Sequence, residues 1–323
     1  MYIGTQREPR HDTDFKMLTQ FGVRHISLDP PGPWTDWTLE ALERHRDHVE
    51  ARGMVLDMIQ LPLPSVPVDK APCADILLAG PNRDAQIDAI CRLIENCSKA
   101  GIPAAKYNFN YIGIPRSADE IGRGGARLPS FRWDRMDPDA PPHCEPLSEE
   151  EIWDRADYFL RHVVPVAESA KLRLACHPHD PYTPPGYRGV TRILGTFEGM
   201  KRFVQTHESP YHGLNFCIGT MAENLDHPDA EIDGIVRWFG ERGKLFNIHF
   251  RNIRGGKLGF SEVLPDDGDV DMLRVLRVLK EVGYKYMIMP DHVPEIDAVD
   301  PEGAAFAFSY GYIAAALQAA KGS

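Results

Sequence analysis

The chain lacks any run of the ~18 to 20 consecutive apolar residues that a bilayer-crossing helix requires. Its opening, MYIGTQREPRHD, lacks the apolar centre of a secretory signal. A soluble cytoplasmic protein without a membrane partner is therefore expected. Cysteine is sparse, six in 323 residues with irregular spacing and no CxxC pair, which suits reduced thiols better than a disulfide framework. Positive charge is in deficit. Lys plus Arg number 36 against 47 for Asp plus Glu, and the net charge of −11 argues against a nucleic-acid partner, whose binding surface shows clustered basic charge. The GxSxG elbow, the GxxxxGK[ST] loop and a clear GxGxxG after a first strand are all missing, so serine hydrolases, P-loop enzymes and dinucleotide oxidoreductases lose ground. What is present, 43% apolar and 26% charged residues, is enough to bury a sizeable core.

Short apolar, β-branched runs alternate with longer amphipathic segments, the pattern of βα units on a parallel sheet. Candidate strands cover residues 2–4, 24–28, 55–59, 104–108, 173–177, 214–217, 246–250 and 286–289, each followed by a helical segment. This repeat predicts a single (β/α)8 TIM barrel over residues 1–323, an architecture of about 250 residues plus insertions. Ser148 with Glu151 forms a capping box that opens a helix running towards Ala170, with a kink expected at Pro165. Asp269 can cap a helix carrying Met272, Leu276 and Leu279 on one face, with Gly283 as its stop. Residues 83–100 behave similarly, with Ile87, Ile90 and Ile94 on one face and Gly101 at the end. One long loop, residues 109–147, follows the fourth strand and is rich in Pro, Gly and Arg. At the C-terminal mouth of a barrel it reads as a lid or substrate loop.

Potential metal donors end the late strands one after another: LACHPHDP, LNFCIGT, FNIHFRN and MIMPDH offer His177, Cys217, His249 and Asp291. Strand ends around a barrel converge, so residues distant in sequence can reach one ion. Two imidazoles, a thiolate and a carboxylate suit a divalent transition ion, with Zn, Fe(II), Mn and Co all compatible. His292 directly follows Asp291 and is the leading acid/base candidate, because an imidazole titrates near neutrality. On the substrate side, Asn108 and Asn110 in KYNFN can bond hydroxyls, and Arg123 in GRGG or Arg251 in HFRN can fork onto the carboxylate of a sugar acid. His179 and Asp180 are further candidates for supporting or substrate contacts.

The motifs RDAQIDAICRLIENCSKAGIP, KYNFN, EEEIWDRADYFLRHVVPVAESAKLRLACHPHDP, FCIGT, NIHFRN, GDVDM and MPDH, spanning about residues 78–312, resemble those of the mannonate dehydratase family. These are metal-dependent lyases on a xylose-isomerase-like barrel. The resemblance implies a Mn2+-type ion, with Fe2+ or Co2+ as alternatives, held by His177, Cys217, His249 and Asp291, and His292 in proton transfer. It implies loss of water from D-mannonate to give 2-dehydro-3-deoxy-D-gluconate; Tyr310 and Tyr312, near the last helix, are candidates for the acid and equally for core aromatics. The chain departs from the family pattern at His179, at Val293, Pro294 and Glu295, and around Pro265. Sugar isomerisation or epimerisation, or a lyase acting on another sugar acid, keto-sugar or glycoside derivative, are the alternatives. A homo-oligomer is compatible with all of them.

Overall fold

A computed structural model describes residues 1–322; Ser323, the last residue of the expected barrel domain, lies outside the described residues. Eight parallel strands close into a barrel: Tyr2–Thr5, His25–Ser27, Val55–Gln60, Ala104–Asn108, Arg173–His177, His212–Cys217, Leu245–His249 and Met287–Met289. The eighth pairs with the first, Ile288 opposite Ile3, and so removes the sheet edges. These are the eight expected strands, with ends moved by one or two residues where hydrogen bonding, and not apolar content, decides. The sixth strand is buried along its whole length, as a parallel sheet covered on both faces requires. Met58, Ala104, Ala175 and Phe246 meet in a cluster of their own, drawn from the third, fourth, fifth and seventh strands.

Most of the helix start and stop signals hold. Ser148 Oγ accepts from Glu151 N at 3.2 Å while the Glu151 carboxylate accepts from Ser148 N at 2.8 Å, and the helix runs from Glu149 through Pro165 to Ala170. Gly101 and Gly283 take φ of 80° and 73°, the left-handed turn at which a helix stops most cheaply. One cap differs. Asp271, not Asp269, caps the helix Met272–Glu281, accepting from Arg274 N at 2.9 Å. Asp269 instead accepts from Gly255 N at 2.7 Å, which ties the helix entry to a hairpin that the strand periodicity missed.

That hairpin, Asn252–Gly256 with Gly259–Val263, follows the seventh barrel strand. Its outer strand pairs antiparallel with Ser130–Arg132 from the long loop, where Ser130 Oγ lies 2.9 Å from Ser261 Oγ. A second small ribbon, Glu120–Ile121 with Arg127–Leu128, completes the loop, and Arg132 forks onto Glu120. The segment expected as one long loop is thus an ordered cap on the barrel mouth. Among the described residues no helix is long and apolar enough to cross a membrane.

Candidate metal centre

Parallel register brings the late strand ends to one level: His249 pairs with Cys217 on one side and with Met289, two residues before Asp291, on the other. Donor atoms of His177, Cys217 and His249 lie within 4.8 Å of one another. Asp291 Oδ2 is 3.6 Å from Cys217 Sγ and 3.5 Å from His249 Nδ1. His177 Nδ1 is 2.7 Å from the carbonyl of Pro178, which only accepts, so this nitrogen carries the proton and Nε2 keeps its lone pair. Burial pushes the His177 imidazole down to about 3 and lowers His249 as well, so both rings are neutral. Burial raises the Cys217 thiol, against the pull of Arg251. Thr220 N donates to its sulfur at 3.2 Å, fixing the side chain at the start of the helix Ile218–Glu223. His249 Nδ1 and Asp291 Oδ1 are buried without a hydrogen-bond partner among the described residues. Two neutral imidazoles, a thiol and a carboxylate with idle donors fit a divalent cation, which would also draw the thiol to thiolate.

Around this set runs a buried charge network. Arg251, 1% exposed, places Nη1 2.6 Å from Glu223 Oε1 and 2.7 Å from Glu262 Oε1, Nη2 2.9 Å from Asp180 Oδ2, and Nε 3.1 Å from Asp291 Oδ2. Arg116, from the cap, pairs with Asp180 at 2.7 Å and with Glu262. Burial raises Glu223 well above the usual carboxyl range, whereas the arginines and His292 hold Asp180 and Glu262 ionised. His292 places Nδ1 2.6 Å from Glu262 Oε2 and Nε2 3.3 Å from Asp291 Oδ2, and these carboxylates raise its partly exposed imidazole. With Glu223 protonated, three carboxylates face Arg116, Arg251 and imidazolium, and the charges balance.

A family model described as D-mannonate dehydratase matches residues 116–319. The mannonate dehydratase of Thermotoga petrophila is 30% identical over 292 residues, covering 79% of this chain and 78% of that protein. The chain belongs to the mannonate dehydratase family. The crystal structure of mannonate dehydratase from Streptococcus suis serotype 2 matches with a TM-score of 0.81 at 25% identity, covering 99% of this chain and 93% of that one. A 3-keto-D-glucoside 4-epimerase from E. coli shares the fold alone, with a TM-score of 0.63 at 14% identity over 98% of this chain and 99% of that one.

In this mannonate dehydratase family member a cavity of about 140 Å3 opens onto His177, His249, Asp291 and His292, and is lined by Asn108 and Asp180 as well. The other residues read from sequence lie elsewhere. Asn110 is buried and spends its side chain on Ser65, Gly113, Ile112 and Arg192. His179 uses both nitrogens on the backbone, donating from Nε2 to Phe109 O at 2.7 Å and accepting at Nδ1 from Leu194 N at 3.2 Å, so it is a brace between loops. Arg123 is half-exposed and forks onto Asp266, away from the cavity. Arg251 is filled by protein carboxylates and does not present a free fork. Tyr310 is buried with its hydroxyl 2.6 Å from Thr5 Oγ1, and Tyr312 packs near Phe250; neither lines the cavity.

Sequence reasoning missed Lys106, Gln6 and Gln60, which form one wall of the same cavity. Lys106 was within reach of the alternation argument, since it sits two residues before Asn108 on the same strand and so on the same face. Glu262 and Arg116 carried no local signal, because the hairpin and the cap position them.

Proposed function

We propose that the chain dehydrates D-mannonate to 2-dehydro-3-deoxy-D-gluconate. The observation that carries this reading is the convergence of His177, Cys217 and His249 within 4.8 Å, with Asp291 and His292 beside them. His177, Cys217, His249 and Asp291 would hold a divalent ion, Mn2+ in the first instance. When bound, such an ion supplies Lewis-acid stabilisation of negative charge on the substrate carboxylate.

The chain's own residues supply the rest. Dehydration moves the C2 proton to a base in the cavity and a proton from an acid to the C3 hydroxyl, which leaves as water; the enol so formed takes up a proton at C3 and becomes the 2-keto acid. His292, whose imidazole is raised by its two carboxylates, serves as the acid. Glu262 engages its Nδ1, so Nε2 holds the proton that the leaving C3 hydroxyl takes. Asn108 and Gln60 face the cavity with amides suited to sugar hydroxyls, and Lys106 offers a cation to substrate oxygens. The small-molecule chemistry supports a cytoplasmic enzyme acting on a sugar acid.

The test is incubation of protein loaded with Mn2+, Fe2+ or Co2+ with D-mannonate in D2O, followed by NMR. Formation of the 2-keto-3-deoxy acid is expected. Deuterium exchange or inversion without loss of water would assign an isomerase or epimerase instead, and no change with any of the three metals would end the dehydratase reading.

A further inference from the structure

Gln6, Gln60 and Lys106 line the reaction cavity on one side and a second cavity of about 840 Å3 on the other. They stand just past the first strand, at the end of the third, and on the fourth. The partition is braced from both directions. Lys106 Nζ donates to Gln6 Oε1 at 2.6 Å, Gln6 Nε2 donates to Asp291 O at 3.1 Å, and Asp29, in the second compartment, accepts from Gln60 N at 2.7 Å. Gln6 is the one hydrogen-bond partner of Lys106 Nζ among the described residues, so its remaining protons can meet a ligand that crosses.

Volume decides what such a ligand must be. The metal-side compartment, about 140 Å3, is under half the ~300 Å3 at which ligand pockets usually begin. A six-carbon acid bound there therefore reaches out of this compartment, and the larger cavity across Lys106 shares Gln6, Gln60 and Lys106 with it. Even at the ~30 Å3 per heavy atom of liquid water, its about 13 heavy atoms would take ~390 Å3, under half of the second compartment alone. The lining suits a pyranose, which has an apolar face and a hydroxyl edge: Leu28, Pro30 and Pro31 meet Asp29, Asp36 and Arg44. Glu8, Asp29 and Asp36 outnumber Arg44 and Lys106 there, which disfavours a second anion.

We infer that this chain acts on a sugar acid bearing a further neutral glycosyl unit, with the acid end at the His177, Cys217 and His249 cluster and the glycosyl unit in the second compartment. The inference rests on the dehydratase reading for which end reacts, and on the two cavities that share Gln6, Gln60 and Lys106 for what lies beyond it.

The test is calorimetric titration of manganese-loaded protein with D-mannonate and with D-mannonates carrying a glucosyl group on O4, O5 or O6, in either anomeric form. At least one extended acid is expected to bind tenfold or more tightly than D-mannonate. Ala41→Trp, which places an indole in the second compartment, should bring the two within twofold, and Arg44→Ala, an exposed change on the same helix, should weaken the extended acid at least threefold. The inference is overturned if no extended acid binds more tightly than D-mannonate, or if the advantage survives in both variants. Turnover read on the same samples separates the two claims. A binding preference without product counts against the dehydratase alone, and product from D-mannonate without a preference counts against the second compartment alone.

Discussion

Glu262 Oε2 lies 2.6 Å from His292 Nδ1, although Glu262 belongs to the capping hairpin and His292 to the turn after the eighth barrel strand. In the proposed mechanism this contact makes the cap part of the acid/base machinery, because the carboxylate would set which ring nitrogen faces substrate and raises the imidazole.

Glu262→Gln should therefore lower kcat by about 10- to 100-fold while leaving the metal content unchanged. Steady-state kinetics with metal analysis on the same sample checks this, and Glu262→Asp should recover part of the loss. An unaltered kcat in Glu262→Gln would remove Glu262 from the mechanism.

Cys217→Ser replaces the one sulfur donor of the cluster with a poorer ligand of similar size. Metal affinity is expected to fall at least tenfold, read by equilibrium dialysis against manganese. Dialysis of the unaltered protein against a chelator should abolish turnover, and added Mn2+ should restore it. Retained affinity in Cys217→Ser would place the ion elsewhere.

Arg251→Met removes the cation from between Asp180, Glu223, Glu262 and Asp291 and leaves buried carboxylates facing one another. Breaking a buried pair in this way costs about 3 to 5 kcal/mol. Urea unfolding measures it; a loss below about 1 kcal/mol would mean that the carboxylates take up protons without strain.

His212, far from the cluster and fully buried, donates from Nε2 to Phe203 O at 2.9 Å, and burial lowers its imidazole to about 4. The unfolded chain binds this proton near 6.5 and the folded chain only near 4, so stability rises with pH across that window and is lost as the pH falls through it. From pH 7 to pH 5 this group alone should cost about 2 kcal/mol. Urea titrations of the unaltered protein and His212→Gln at both pH values check the sign; an equal pH dependence in the two would refute it.

The barrel was legible because each strand is a local apolar run and each helix carries its own start or stop, as Ser148 with Glu151 and Gly283 show. The four strand-end donors were legible for the same reason, since a parallel strand's last residue faces the barrel mouth in every unit. Arg251 and His179 were misplaced because local sequence shows a side chain's chemistry but not its company. Four carboxyl groups surround Arg251, and two loops claim both nitrogens of His179.

The order of residues alone thus determined the closed parallel barrel and the row of donors at its late strand ends, because both follow from short-range patterning repeated along the chain. Only the tertiary structure decided that Glu262 holds His292, that Arg116 reaches from the cap, and that Lys106 stands between two cavities. Those relationships join segments far apart in the chain, and their energies depend on burial and charge that exist only once the barrel has closed.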